Sequence, residues 1–283
     1  KSMPSRSLGR CNIKIYCVTD KEVSFLDNLT YEIGWVGRTE TPKNYIECNK
    51  KDNIFFKEKY YSELTFHYWY WKNLQDLNVN KDWVGFCQKR RFWSNTRTNN
   101  IKSHDISSGN FFLNKAPLSW KNYDSIICDP IDLNNVNIIK IFKRGFRSVI
   151  RDPLILFNKN RRTIKLHFDM HHGFDNLIKA ANLLEKEDRS DFIEYINVST
   201  SFHPHIMFIA KPKIVNLWFS ALFPWLSRCE KLFGFENLNG YDTQRLYAYL
   251  AERYLSFWFK KHTKSLSHPW IFFDTLTNNI NEK

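Results

Sequence analysis

The sequence predicts an α/β protein. Strand-like segments alternate with helical ones through the first half and helices dominate the second, which is the pattern of a mixed sheet covered by helices. No internal repeat, low-complexity tract or linker divides the chain. The expectation is one domain over residues 1–283, with an α/β portion at 12–210 and a helical portion at 211–283. A hydrophobic content of 43 % over 283 residues supplies enough apolar surface for such a core.

Residues 12–19, Asn-Ile-Lys-Ile-Tyr-Cys-Val-Thr, are β-branched and aromatic and end at the polar turn Asp20-Lys21-Glu22, so they open the domain as a strand. Residues 60–77 predict a helix, because Tyr61, Leu64, Tyr68, Trp71 and Leu74 recur at three- and four-residue intervals. Residues 82–87 form a short apolar strand that stops at Gln88-Lys89-Arg90-Arg91. Polar residues 94–122 lack periodicity and read as a mobile or substrate-covering loop. Ser125 to Cys128 is a strand closed by Asp129-Pro130. Asp175 is placed to cap a helix carrying Leu177, Ile178, Ala181 and Leu184. A strand is expected at 205–210, a helix interrupted at Pro224 over 214–233, and a long amphipathic helix over 243–261 with Leu246, Leu250, Tyr254 and Phe257 aligned.

Composition narrows the chemistry. Nine scattered glycines make neither G-x-G-x-x-G nor G-x-x-x-x-G-K-[ST], which excludes recognisable Rossmann dinucleotide and P-loop sites. A formal net charge of +13 calls for nucleic acid, an anionic membrane surface or a phosphorylated substrate. No run approaches the length of a spanning helix, no secretory leader is visible at residues 1–10, and six cysteines show no C-x-x-C. The expectation is reduced, buried thiols of a cytosolic protein.

The sharpest chemical feature is the strand Asp82-Trp-Val-Gly-Phe-Cys-Gln-Lys-Arg-Arg-Phe-Trp93, which ends in three cations. Ligands of open α/β sheets lie beyond the carboxyl ends of strands. Lys89, Arg90 and Arg91 there suit a polyanion such as a nucleotide diphosphate, with Phe92 and Trp93 offered for stacking. The bland alternative is a solvated basic turn. His167-Phe-Asp169-Met-His171-His172 is the metal candidate, since on a strand His167, Asp169 and His171 would share one face. A fourth ligand is not apparent, and plain hydrogen-bonded structure competes with it. Asp242 and Glu252 are candidate bases, against an N-cap for Asp242 and an ion pair with Arg253 for Glu252. There is no G-x-S-x-G and no nucleic-acid-binding motif.

Several blocks together resemble a bacterial family of capsule and O-antigen polysaccharide glycosyltransferases, long catalogued as a domain of unknown function. The specific ones are Glu63-Leu-Thr65 with Tyr68-Trp-Tyr-Trp-Lys-Asn73, and Gly85-Phe-Cys87 with Arg90-Arg-Phe92. Weaker ones are Asp52-Asn-Ile54, His171-His172 with Asp175, and Leu250-Ala-Glu-Arg253. Family members read His-Tyr where this chain has Gln88-Lys89. The resemblance implies a GT-A-like nucleotide-sugar-binding sheet with a helical C-terminal portion. It also implies an inverting hexosyltransferase with galactofuranose-transferring relatives, using a UDP-linked donor and a cell-surface polysaccharide or lipid-linked glycan acceptor. It assigns Thr19, Gly37, Asp52, Asn53, Glu63, Lys72, Lys89, Arg90 and Arg91 to the donor. Gln88, Trp93, His171 and His172 fall to the acceptor or substrate, and Glu252 or Asp242 to catalysis. GT-A enzymes typically hold manganese or magnesium through Asp-x-Asp, which does not occur here, so no metal ligand is assigned and cations take the metal's place. Remaining charge is expected on an anionic inner membrane through Lys260, Lys261 and Lys264 beside Trp270, on its cytoplasmic face. The competing readings are a basic nucleic-acid-binding protein and a metal-dependent hydrolase built on His167, Asp169 and His171.

Overall fold

The computed structural model describes residues 12–96, 109–135 and 137–274, and the backbone of 279–281. Much of the loop expected at 94–122 lies outside the described residues. The chain runs β1 (Ile13–Thr19), β2 (Glu32–Trp35), β3 (Ile46–Glu47), α1 (Glu58–Tyr61), α2 (Leu64–Asn73), β4 (Trp83–Gln88), β5 (Arg91–Trp93), β6 (Ser125–Cys128) and β7 (Ile131–Asp132). Five helices follow: α3 (Ile138–Arg144), α4 (Phe146–Arg151), α5 (Ile164–His172), α6 (Asn176–Ala181) and α7 (Lys186–Val198). The chain continues through β8 (Ser201–Phe202), β9 (Phe208–Ala210), α8 (Pro212–Phe233), α9 (Tyr241–Gln244) and α10 (Leu246–His262), and closes with β10 (Ser265–His268), β11 (Trp270–Asp274) and β12 (Asn279–Asn281).

The central sheet has the order β10-β6-β9-β4-β1-β2-β3. β1 is parallel to β4 and β2, whereas β9 runs antiparallel between β4 and β6. Both faces of the sheet are covered, and alternation along each strand divides the core in two. Tyr16, Val18, Val84, Phe86, Phe208 and Ala210 face α2, α8 and α10. Ile15, Cys17, Trp83, Cys87, Met207 and Ile209 face a second layer with Trp93, Phe112, Trp120 and Phe273. This period of two is what a pleated strand imposes. Gly85 and Gly34 exist for close approach. A Cβ on Gly85 would stand 2.6 Å from Ile209, and one on Gly34 would stand 2.6 Å from the Phe66 ring.

The structure alters four expectations. The helix at 60–77 breaks at Ser62, whose φ is 51°, and its second part is buried nearly all round because the sheet lies on one side and α8 on the other. α8 is continuous through Pro224, in a strongly amphipathic segment whose buried face carries it across the missing amide. Residues 164–172 are a helix, not a strand. The C-terminal portion is not wholly helical: β10 pairs with β6, and β11 pairs with β5, returning the tail to the sheet. The expected strand at 125–128 is β6 to the residue.

Gly34→Ala should destabilise the fold by about 1–3 kcal/mol, because the added methyl must displace the fully buried Phe66 ring. A shift of the urea midpoint at unchanged m-value is the expected outcome.

Candidate functional site

β1 and β4 end side by side, with Val18 opposite Gln88, and the polar residues that follow them gather at one sheet edge. They line a cleft of about 240 Å³ with Thr19, Asp20, Glu58, Glu63, Lys89, Arg90, Arg91, Tyr241 and Arg245 among its walls. The Thr19 hydroxyl donates to the Lys21 carbonyl at 2.7 Å and so closes the turn that aims Asp20 into the cleft.

Gln88 pairs with Arg91 across a two-residue hairpin, so Lys89 and Arg90 form its tip. Arg90 has φ 72°, a left-handed conformation that glycine or asparagine would take more easily. Its carbonyl accepts from the Phe273 amide at 2.9 Å, and the Lys89 amide donates to the Val18 carbonyl at 3.0 Å. Neighbouring strands therefore hold a strained, doubly cationic turn against the cleft.

The charges of the cleft are mixed. Lys89 is ion-paired with Asp20. Burial raises the Asp20 carboxyl, but the hydrogen bond and charge of Lys89 outweigh it and hold the group below the usual carboxylate range. Burial pushes the Glu58 carboxyl upward against the pull of Arg38 and Arg245. Arg91 lies over the Phe272 ring at 5.6 Å, and its buried Nε has no hydrogen-bond partner among the described residues. At this edge the turn after β4 supplies the cations Lys89, Arg90 and Arg91, and Asp20, Glu58 and Glu63 line the same cleft. Among the described residues, no three His, Cys, Asp or Glu side chains converge as a metal site.

A histidine cluster adjoins the cleft. Tyr241 opens α9, Asp242 follows it, and the Tyr249 hydroxyl donates to the Tyr241 carbonyl at 3.2 Å. His172 stacks on Tyr249 at 3.7 Å and bonds the Asp242 carbonyl through Nδ1 at 2.7 Å. Arg144 donates both to His171 Nδ1 at 2.9 Å and to the Asp242 carboxylate at 3.2 Å. Burial first, then surrounding cations such as Lys140 and Arg144, lower His171 to about 4. Burial and Arg253 lower His172 to about 3. Both rings are therefore neutral near pH 7.

The structure brings Thr19, Glu63, Gln88, Lys89, Arg90 and Arg91 together and disperses the other expected donor and substrate residues. Gly37 belongs to the adjoining turn, where a Cβ would meet the Trp35 ring and the Asp20 carbonyl. The Asn53 side chain closes its own loop by donating to the Asn49 and Lys51 carbonyls, and Asp52 accepts from Tyr68 and Asn73. Lys72 lies over Trp71 at 3.7 Å. Trp93 is fully buried and donates to the Phe86 carbonyl, so it is core rather than a stacking platform.

Glu252 does not line the cleft. It accepts from the His205 amide at 2.5 Å and from Arg253, a guanidinium buried against the Phe202 ring at 3.9 Å. Because 164–172 is helical, His167 and His171 share a face with rings 4.8 Å apart. Asp169 turns away from them to Lys165 at 2.5 Å. Asp175, with φ 60°, stands at the N-cap of α6 as expected, but its side chain makes no capping bond and pairs instead with Arg151 and Lys165. Asp20, Glu58, Tyr241 and Arg245 were invisible in sequence, being brought in from three separated segments.

A larger cavity of about 800 Å³ lies between α4 and α5, lined by Arg151, Asp152, Arg161, Lys165, Asp169 and Phe174. Its charges already pair with one another, Arg161 with Asp152 and Lys165 with Asp169. The strand-end cleft, with a guanidinium nitrogen unpartnered among the described residues and a strained turn, is therefore the candidate site.

Residues 14–264 match the family described as Domain of unknown function (DUF4422), and the chain belongs to that family. In fold it is similar to the apo structure of WbbM, a bifunctional glycosyltransferase, with a TM-score of 0.71 and 20 % sequence identity. That likeness covers 95 % of this chain and 46 % of WbbM, so the chain spans less than half of that protein's length. No curated protein sequence matches.

The neutral histidines impose a pH dependence. Unfolded, these rings take a proton near their ordinary value of 6.5, whereas the native ones resist until about 4 and about 3. Between those values the unfolded chain binds more protons. Stability should therefore fall as pH drops below about 6.5, by up to about 1.4 kcal/mol per pH unit per histidine. Denaturant unfolding at neutral and mildly acidic pH measures the loss, and His172→Gln should reduce it.

Proposed function

We propose that this chain is a glycosyltransferase of GT-A-like design that binds a nucleotide-linked hexose, with UDP as its nucleotide, at the ends of β1 and β4. The observation carrying this reading is the strained Lys89-Arg90 turn, with the buried Arg91 Nε beside it unpartnered among the described residues, at the sheet edge where α/β folds bind ligands. Lys89, Arg90, Arg91 and Arg245 would neutralise the diphosphate as it leaves, forked guanidinium donors matching phosphate oxygens. The similarity to WbbM supports a transferase through the fold. Galactofuranose as the sugar rests on the family resemblance alone.

An inverting transfer needs a base for the acceptor hydroxyl. Of the two carboxylates expected to serve, Asp242 fits better. Its side chain is 46 % exposed and it follows Tyr241, an aromatic 83 % exposed on the cleft wall that suits a sugar ring. Arg144 orients the carboxylate, and His171 and His172, neutral beside it, offer hydrogen bonds to an acceptor glycan. Glu252 has both oxygens engaged and acts as a positioning residue for Arg253.

UDP should raise the melting temperature with a chelator present. Arg90→Gly should abolish most of that rise while leaving the apo protein as stable, or stabler by up to about 1 kcal/mol, since glycine relieves the positive φ. No UDP effect, or one that requires manganese, would overturn the cationic-cleft reading.

Asp242→Asn should lower turnover about 10²–10⁴-fold with UDP binding retained. Glu252→Gln should instead cost about 1–3 kcal/mol of stability, because the buried Arg253 charge loses its counter-ion. Turnover and melting measured on both variants separate the two roles.

A further inference from the structure

We propose that the outer face of residues 138–157 docks the protein onto an anionic membrane surface, a contact that stands independently of the transferase reading. The segment Ile138-Ile-Lys-Ile-Phe-Lys-Arg-Gly-Phe-Arg-Ser-Val-Ile150 is apolar on two sides. Its inner side is satisfied: Ile141, Val149 and Ile155 pack on Leu166 and Met170 of α5 as a small core of their own. Its outer side is bare. Ile138, Ile139, Phe142, Phe146 and Ile150 are all at least half exposed, and Phe157 is 83 % exposed. Isolated exposed apolar residues are ordinary, but this many within twenty residues form a contiguous surface that water penalises.

Charge decides between possible occupants. Lys140, Lys143, Arg147 and Lys159 are exposed among these apolar groups and form no ion pair with any described carboxylate. The one acidic residue in the segment, Asp152, is held by Arg161. Large apolar side chains that enter the acyl boundary, ringed by long cationic ones that reach phosphate, are the composition of an interfacial anchor. A protein partner would be expected to find charges of both signs here. No helix among the described residues is long and apolar enough to cross a membrane, so the contact is superficial.

The expected membrane contact through Lys260, Lys261, Lys264 and Trp270 is not built for this. Trp270 is buried and donates to the Asp129 carbonyl, and Lys261 is bound by Asp188 and Asp191. The new face has a mechanical link to the candidate site. Arg144, at the end of α3, reaches Asp242 beside the cleft residue Tyr241.

Co-sedimentation tests the proposal with vesicles of equal parts phosphatidylglycerol and phosphatidylcholine, against phosphatidylcholine alone. The 283-residue chain should pellet with the anionic vesicles and be released by high salt. Phe142→Ser/Phe146→Ser/Ile150→Ser should weaken binding at least about tenfold, and so should Lys140→Glu/Lys143→Glu. Both variants should melt and bind UDP like the parent, since none of these side chains lies in the core or cleft. Absence of pelleting, equal pelleting with neutral vesicles, or unchanged binding by both variants overturns the proposal. So does a dimer in sedimentation velocity that the apolar variant breaks, which would assign the face to a second copy of the chain.

Discussion

The parallel pairing of β1 with β4, buried on both faces, is the constraint from which the rest follows. From Ile15 to Thr19 and from Trp83 to Cys87 every side chain is enclosed by one of the two core layers. Charged residues cannot enter those strands without uncompensated desolvation, so they collect where the strands stop. The register Val18 to Gln88 makes both strands stop together, which turns two sequence-distant polar ends into one cleft. β11 then clamps β5 from the other side, and its Phe273 amide fixes the Arg90 carbonyl. The cationic turn is thus held in a strained shape by backbone bonds on both flanks.

A second polar system is built next to that edge on different terms. α5 and α10 bury His167, His172 and Arg253 among aromatic rings; burial first, and then the guanidinium, keeps the histidines neutral, while Glu252 balances the guanidinium. Neutral rings can both give and accept hydrogen bonds, as polyhydroxylated ligands require. Asp242 sits where the two systems meet, its carbonyl on His172 and its carboxylate on Arg144.

Much of the sheet was legible in sequence because β-branched and aromatic runs ending at polar turns have few other ways to fold. β1, β4 and β6 lie where their residues placed them. Helices were read less well. Their stripe was sought on one face, yet α2 is covered on two, and burial all round erases the period that marks an amphipathic helix. The stretch from 138 to 162 went unread for a related reason. Its apolar residues follow no single stripe, since one set packs inward and another faces outward. A carboxylate beside an arginine looks the same in sequence whether it is free or occupied, and only the His205 amide on Glu252 shows that this one is occupied.

By itself the sequence determined that Ile13–Thr19, Trp83–Gln88 and Ser125–Cys128 are strands, that a cluster of cations ends one of them, and that glycine-rich phosphate loops are absent. Those properties are local, resting on propensity and on neighbours within a few positions. Tertiary structure alone decided which groups face the Lys89-Arg90-Arg91 cations, since Asp20, Glu58 and Arg245 come from segments far apart in the chain. It also decided which aromatic residues remain at the surface, leaving Tyr241 exposed and burying Trp93 and Trp270. Exposure and pairing depend on what packs against a residue from elsewhere, and no pattern along the chain records that.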